Sequence, residues 1–142
     1  MRALLITALL AATPAAAWDE PQRGTQTRTD MMDAIRPHIE WALGAPIEFV
    51  IWDLRVDGNV GFASVMAQRP GGGVIDVART PAARRQEIDP TVGDGATVQA
   101  LLQKSGNVWV ATHHAIGATD AWWYWDEFCP TWAPVIPEAC GG

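Results

Sequence analysis

Residues 45–68 read APIEFVIWDLRVDGNVGFASVMAQ. The run IEFVIWDLRV is rich in β-branched and aromatic side chains, which suit a pleated, half-buried surface. Asp57-Gly58 follows as a two-residue turn signal, and NVGFASVMAQ returns. The stretch predicts a β-hairpin. A second hairpin is predicted at 96–116, from ATVQALLQK through Ser105-Gly106 to NVWVATHHAI. The two resemble each other, since DGNVGFAS at 57–64 aligns with SGNVWVAT at 105–112. One short match does not establish a repeat. It implies that both turns work alike, with Gly supplying a positive φ.

Two-residue turns at these positions set the pairing. Asp53 then faces Phe62 and Trp52 faces Ala63, while Leu102 faces Trp109 and Val98 faces His113. One face of the first hairpin carries Val50, Trp52, Leu54, Gly61, Ala63 and Val65. The matching face of the second carries Val98, Ala100, Leu102, Trp109, Ala111 and His113. The opposite faces carry Asp53, Arg55, Ser64, Gln99, Gln103, Thr112 and His114, so they are expected to be at least partly wet. Such alternation marks an antiparallel sheet covered on one side.

The cover is predicted from residues 29–43. Thr29 or Asp30 can cap a helix, and Met31, Ile35, Ile39 and Ala42 recur at helical spacing. Pro37 interrupts one backbone hydrogen bond, and Gly44 is a natural stop. Residues 69–95 form a long connection rich in Pro and Gly, in which Val74, Ile75 and Val77 could make a short edge strand. The fold class is therefore α+β: an N-terminal helix on a four-stranded antiparallel sheet of two hairpins. A short C-terminal aromatic helix and one disulfide complete it.

The order of a leader, a helix running into ALGAPIEFV, a strand with its Asp-Gly turn, the ALLQKSGNVWV hairpin and then GATDAWW resembles a group of small exported bacterial proteins of unknown function. That resemblance carries no catalytic residue with it. One helix on a curved antiparallel sheet is also similar, at the level of fold alone, to the cystatin-like and NTF2-like architectures.

The leader is MRALLITALLAATPAAA. Arg2, a short apolar run and small residues at Ala15–Ala17 make a tripartite signal peptide, cleaved after Ala17. The apolar run is too short to span a bilayer. Residues 18–142 are then a single domain in the periplasm or outside the cell, with no membrane span. Net charge is −6, which argues against nucleic acid as a partner. Cys129 and Cys140 are the only cysteines, and in an exported chain such a pair reads as a disulfide. Two cysteines with no nearby histidine lack a metal ligand set, so no metal or other cofactor is expected.

Residues 119–132, TDAWWYWDEFCPTW, hold four of the eight tryptophans and the one tyrosine. Thr119-Asp120 can start a helix and Pro130 can end it. On that helix Trp122, Trp125 and Cys129 share a side, which predicts Trp122 and Trp125 in the core. Trp123 and Tyr124 are left outward, as the candidate binding residues.

Candidate chemistry is sparse. His113 and His114 are adjacent in a strand and point to opposite faces. His113 is expected on the apolar face near Asp120, where an imidazole–carboxylate pair would titrate near neutrality. His38 reaches that region only through tertiary packing. Asp53 stands in an apolar strand beside Arg55. Ser64 and Thr112 lack a nucleophile-elbow setting. Pro70 to Gly73 is no phosphate loop, and no zinc signature is present. Two function classes follow. One is a non-catalytic cell-envelope module that binds a protein or a small-molecule ligand. The other is a small periplasmic hydrolase or isomerase using His113, Asp120 or Asp53.

Overall fold

The computed structural model describes residues 18–141. The signal-peptide reading falls on residues 1–17, outside them. Among the described residues no helix is long and apolar enough to cross a membrane.

Helix α1 spans Gln26–Leu43, three turns of apolar stripe made by Met31, Ile35, Ile39 and Leu43, all fully buried. It starts earlier than predicted because Thr25, not Thr29 or Asp30, is the cap. The Thr25 hydroxyl accepts from the Arg28 N–H, satisfying a first-turn donor. Gly44 ends the helix at φ 84°, donating its N–H to the Glu40 carbonyl at 2.8 Å.

Four strands follow: β1 Glu48–Asp57, β2 Val60–Gln68, β3 Thr97–Ser105 and β4 Val108–Ile116. They form one antiparallel sheet in the order β1-β2-β3-β4, with both predicted hairpins present. The turns are Gly58-Asn59 and Gly106-Asn107, one residue later than expected, with the glycines at φ 55° and 61°. Glycine at the first central position matches the right-handed twist of the strands. Pairing therefore runs Arg55 to Phe62, Leu54 to Ala63 and Asp53 to Ser64, and Lys104 to Trp109 in the second hairpin. Moving a turn by one residue changes each partner by two, so the faces near the turns are as predicted.

Further along they are not, because each hairpin contains a bulge. The β1 register shifts between Ile51 and Asp53, at Trp52. An extra residue turns every later side chain over. Phe49 and Ile51 pack on the helix side, while Val50 and Trp52 are 41% and 56% exposed. The β3–β4 register shifts next to Thr112, so Ala111 faces Leu102 but His113 faces Leu101.

The core has two parts on opposite faces of the sheet. On one, α1 covers Leu54, Ala63, Val65, Val98, Ala100, Leu102, Trp109 and Ala111, making its closest strand contacts with β4. On the other, Phe62 and Leu101 are covered by Trp122, Phe128, Trp132, Val135 and Ile136. The second face, expected to be partly wet, is thus roofed by the C-terminal segment. Arg55 is the polar element of that roof. It forks onto Asp53 at 2.6 Å, reaches Glu138 at 2.6 Å and donates to the Val135 carbonyl at 3.0 Å. Its guanidinium also lies 4.6 Å from the Trp18 ring centre.

The 69–95 connection contains no strand. Val77–Arg79 is a single 3-10 turn and Pro81–Arg84 is a short helix, α2, capped by Thr80. Ile75 and Ala82 are buried in the helix-side core. Arg69 ties the segment to the end of α1 through the Leu43, Gly44 and Pro46 carbonyls.

Candidate functional site

The C-terminal aromatic stretch is helical, but in short pieces. Trp122–Tyr124 and Asp126–Phe128 are 3-10 turns, and Cys129–Trp132 is one α-helical turn, α3. Trp125 between them is extended, at φ −71° and ψ 135°. That residue breaks the helical phase on which the core assignment of Trp125 rested. Trp122, Phe128 and Trp132 are buried, whereas Trp125 is 54% exposed. Trp123 is half-buried between Trp122 and Phe62, its ring 5.5 Å from the latter. Tyr124 is 45% exposed, as predicted, but neither it nor Trp123 lines either of the two grooves beside β4. Cys129 and Cys140 are bonded. The bridge encloses Trp132, Val135 and Ile136 and holds them against the sheet. The Trp132 indole N–H donates to the Leu102 carbonyl at 2.8 Å, beside the bulge.

The bulge at Thr112 decides the site. It sends His114 to the helix side and His113 to the aromatic side, the reverse of the sequence expectation. His113 lies edge-on to Phe128 and Trp132, at 5.0 and 5.4 Å. His114 meets His38 of α1, with ring centres 4.9 Å apart. Its pKa is pushed below the ordinary imidazole value, first by desolvation, then by the charges of His38 and His113. Both β4 histidines keep exposed surface.

Two grooves flank β4 and share His114 and Ala115. The helix-side groove, about 640 Å³, is walled by Pro37, His38, Trp41, Ala82, Glu87 and Ile88 with Ile116. The aromatic-side groove, about 540 Å³, is walled by His113, Asp120, Trp122, Trp125, Glu127 and Phe128 with Thr112. Trp125 stacks over Phe128 at 12° between planes, with centres 6.3 Å apart. Asp120 and Glu127 are exposed and join no ion pair among the described residues. Glu87 in the other groove is held by Arg85 at 2.6 Å.

Three sequence candidates are thus sorted. His113 and Asp120 do come together in one groove, with no hydrogen bond between them among the described residues. Asp53 is elsewhere, held in the Arg55 fork as a structural carboxylate. Trp125, Glu127 and His114 were missed as groove residues, because their placement depends on the bulge and on the extended break at Trp125. No group of three or more His, Cys, Asp or Glu side chains is placed to hold a metal ion among the described residues. The chain matches no protein-family model, and no curated protein or solved structure is significantly similar to it.

Proposed function

We propose that the protein is an exported, non-catalytic binding module of the cell envelope, and that its ligand enters the groove between β4 and the C-terminal aromatic turns. One observation carries this reading. Trp125 presents an exposed indole stacked on Phe128, at the mouth of a groove whose two carboxylates join no ion pair among the described residues. Exposed aromatic surface of this kind marks interaction sites, and tryptophan is a frequent anchor of them. The disulfide suits an oxidising compartment. The test is capture from an envelope extract by the purified, disulfide-bonded protein and by Trp125→Ala. A species retained by the wild type and lost by the variant supports the reading. Identical retention by both overturns it.

A second reading, a small hydrolase or isomerase, is favoured by the convergence of His113 and Asp120 on the same groove. It requires that the pair close to hydrogen-bond distance around a substrate. His113→Gln separates the two readings, since it should abolish turnover in an enzyme while leaving ligand retention largely intact.

A further inference from the structure

We infer that β4 is a docking edge for an extended peptide segment in which basic and apolar side chains alternate, and that this segment is the ligand of the groove assigned above. The inference rests on that assignment and adds the partner's chemistry.

β4 is the last strand of the sheet, hydrogen-bonded only to β3. No other backbone or side chain bonds the main chain of residues 108–116 among the described residues. An edge of this kind is a ready template for another strand. The opposite edge differs. There the N-terminal arm pairs Asp19 with Val56, and the adjoining pocket is small, about 190 Å³, and lined by Arg28 and Asp53.

A strand added along β4 sends successive side chains to opposite faces of the sheet. The two faces at β4 present chemically different grooves. The helix side offers Pro37, Ala42, Ala82 and Ile88, with Glu87 already neutralised by Arg85. The aromatic side offers Asp120 and Glu127 beside Trp122, Trp125 and Phe128. Unpaired carboxylates and ring faces together suit a lysine or arginine side chain. Apolar residues therefore fit one side and basic residues the other. Main-chain bonding supplies affinity and the alternate pockets supply selectivity, as in other strand-addition complexes. The net charge of −6 assists approach of a basic segment.

The probe is a capped ten-residue peptide of alternating Lys and Val, titrated at physiological salt into the purified, disulfide-bonded protein. Three comparisons accompany it: a copy with Glu for every Lys, a copy N-methylated through its central residues, and the Asp120→Asn, Glu127→Gln double variant. Both substituted residues are exposed, and circular dichroism checks that the variant is folded. The acidic and N-methylated copies should each bind at least tenfold more weakly than the Lys–Val peptide, the Lys–Val peptide should bind the double variant at least tenfold more weakly than the wild type, and it should slow amide exchange along 108–116 but not along β1. No binding of the Lys–Val peptide, equal binding of the N-methylated copy, or unchanged exchange in β4 overturns strand addition. If Trp125-dependent capture from the extract persists in that case, the binding groove stands and only the peptide class is lost. Equal binding of the acidic copy overturns the charge assignment and with it this inference.

Discussion

The imidazoles of His38, on α1, and His114, on β4, lie 4.9 Å apart, at 35° between ring planes. They join the main helix to the edge strand beneath it. Desolvation first, then His38 and His113, lower the pKa of His114. Glu87 shares the groove but is bonded to Arg85, and Asp120 and Glu127 face the other groove.

A pH dependence follows, and its sign is fixed. The unfolded chain titrates this histidine near the ordinary value, about 6.5, and the folded chain titrates it lower. Between the two, the unfolded state binds more protons. Stability contributed by neutral His114 is present above about pH 6.5, is lost as pH falls toward the folded pKa, and levels off below it. Urea midpoints should drop between neutral pH and mildly acidic pH, before carboxylates titrate. His114→Gln should show a smaller drop. An equal drop in the variant would refute the role given to this pair.

Trp132 tests the roof over the second face. Its indole N–H serves the buried Leu102 carbonyl at the strand bulge. Trp132→Phe keeps most of the ring but removes that hydrogen bond, which should cost about 0.5–1.5 kcal/mol. Trp132→Ala should cost about 3–5 kcal/mol. Urea unfolding that left Trp132→Phe as stable as the wild type would show that the hydrogen bond contributes nothing distinct.

The hairpins, the helix stripe, the Gly44 stop and the disulfide are local patterns, and they could be read from the chain. Turn glycines and apolar periodicity act over a few residues, so no tertiary information is needed. The bulges at Trp52 and Thr112 are different. The extra residue sits where packing demands that Ile51 and His114 face the helix, and neither β-branching nor polarity at those positions announces it. The same holds for Trp125. One extended residue resets the helical phase, so that Phe128 and Trp132 reach Phe62 and Leu101. Hence His113 and Asp120 line one groove, but His113 lies on the face opposite to the one the pattern predicts, and the exposed tryptophan is Trp125.

Arg55 clamps the C-terminal loop to β1. Its side chain is 15% exposed, and its partners Asp53 and Glu138 are about one-third exposed. Arg55→Met should cost about 2–3 kcal/mol, the range for bonds to charged groups with some solvent screening. Arg55→Lys should rescue little, because an ammonium cannot span Asp53, Val135 and Glu138 in one fork. Full rescue by lysine would reduce the clamp to simple charge pairing.

The disulfide closes a loop of 11 residues' separation. Chain entropy assigns such a loop about 3 kcal/mol, reduced by the three prolines inside it, which already restrict the unfolded chain. Reduction should lower stability by about 2–3 kcal/mol. It should also loosen Trp132 and Ile136 before the α1 side of the core, seen as faster amide exchange at 129–140. Labelling the unfolded, unreduced protein should find no free thiol. Two reactive thiols per chain would remove the bridge from the account.

Trp122 and Trp125 stand three residues apart and should behave oppositely. Trp122 is 7% exposed and packs edge-on to Phe128 at 5.4 Å. Truncating it leaves a cavity under the roof and should cost about 3–5 kcal/mol. Trp125 is 54% exposed and stacks on Phe128. Trp125→Ala should forfeit no more than one aromatic pair, about 0.5–1.5 kcal/mol. The variant should therefore fold, with unchanged circular dichroism in the far ultraviolet. Acrylamide quenching should fall, since it removes one of three exposed indoles, the others being Trp41 and Trp52. A folded Trp125→Ala protein is also what makes a loss of ligand capture interpretable as loss of contact. Severe and equal destabilisation by both truncations would place Trp125 inside the core, close the mouth of the groove and remove the observation on which the binding reading stands.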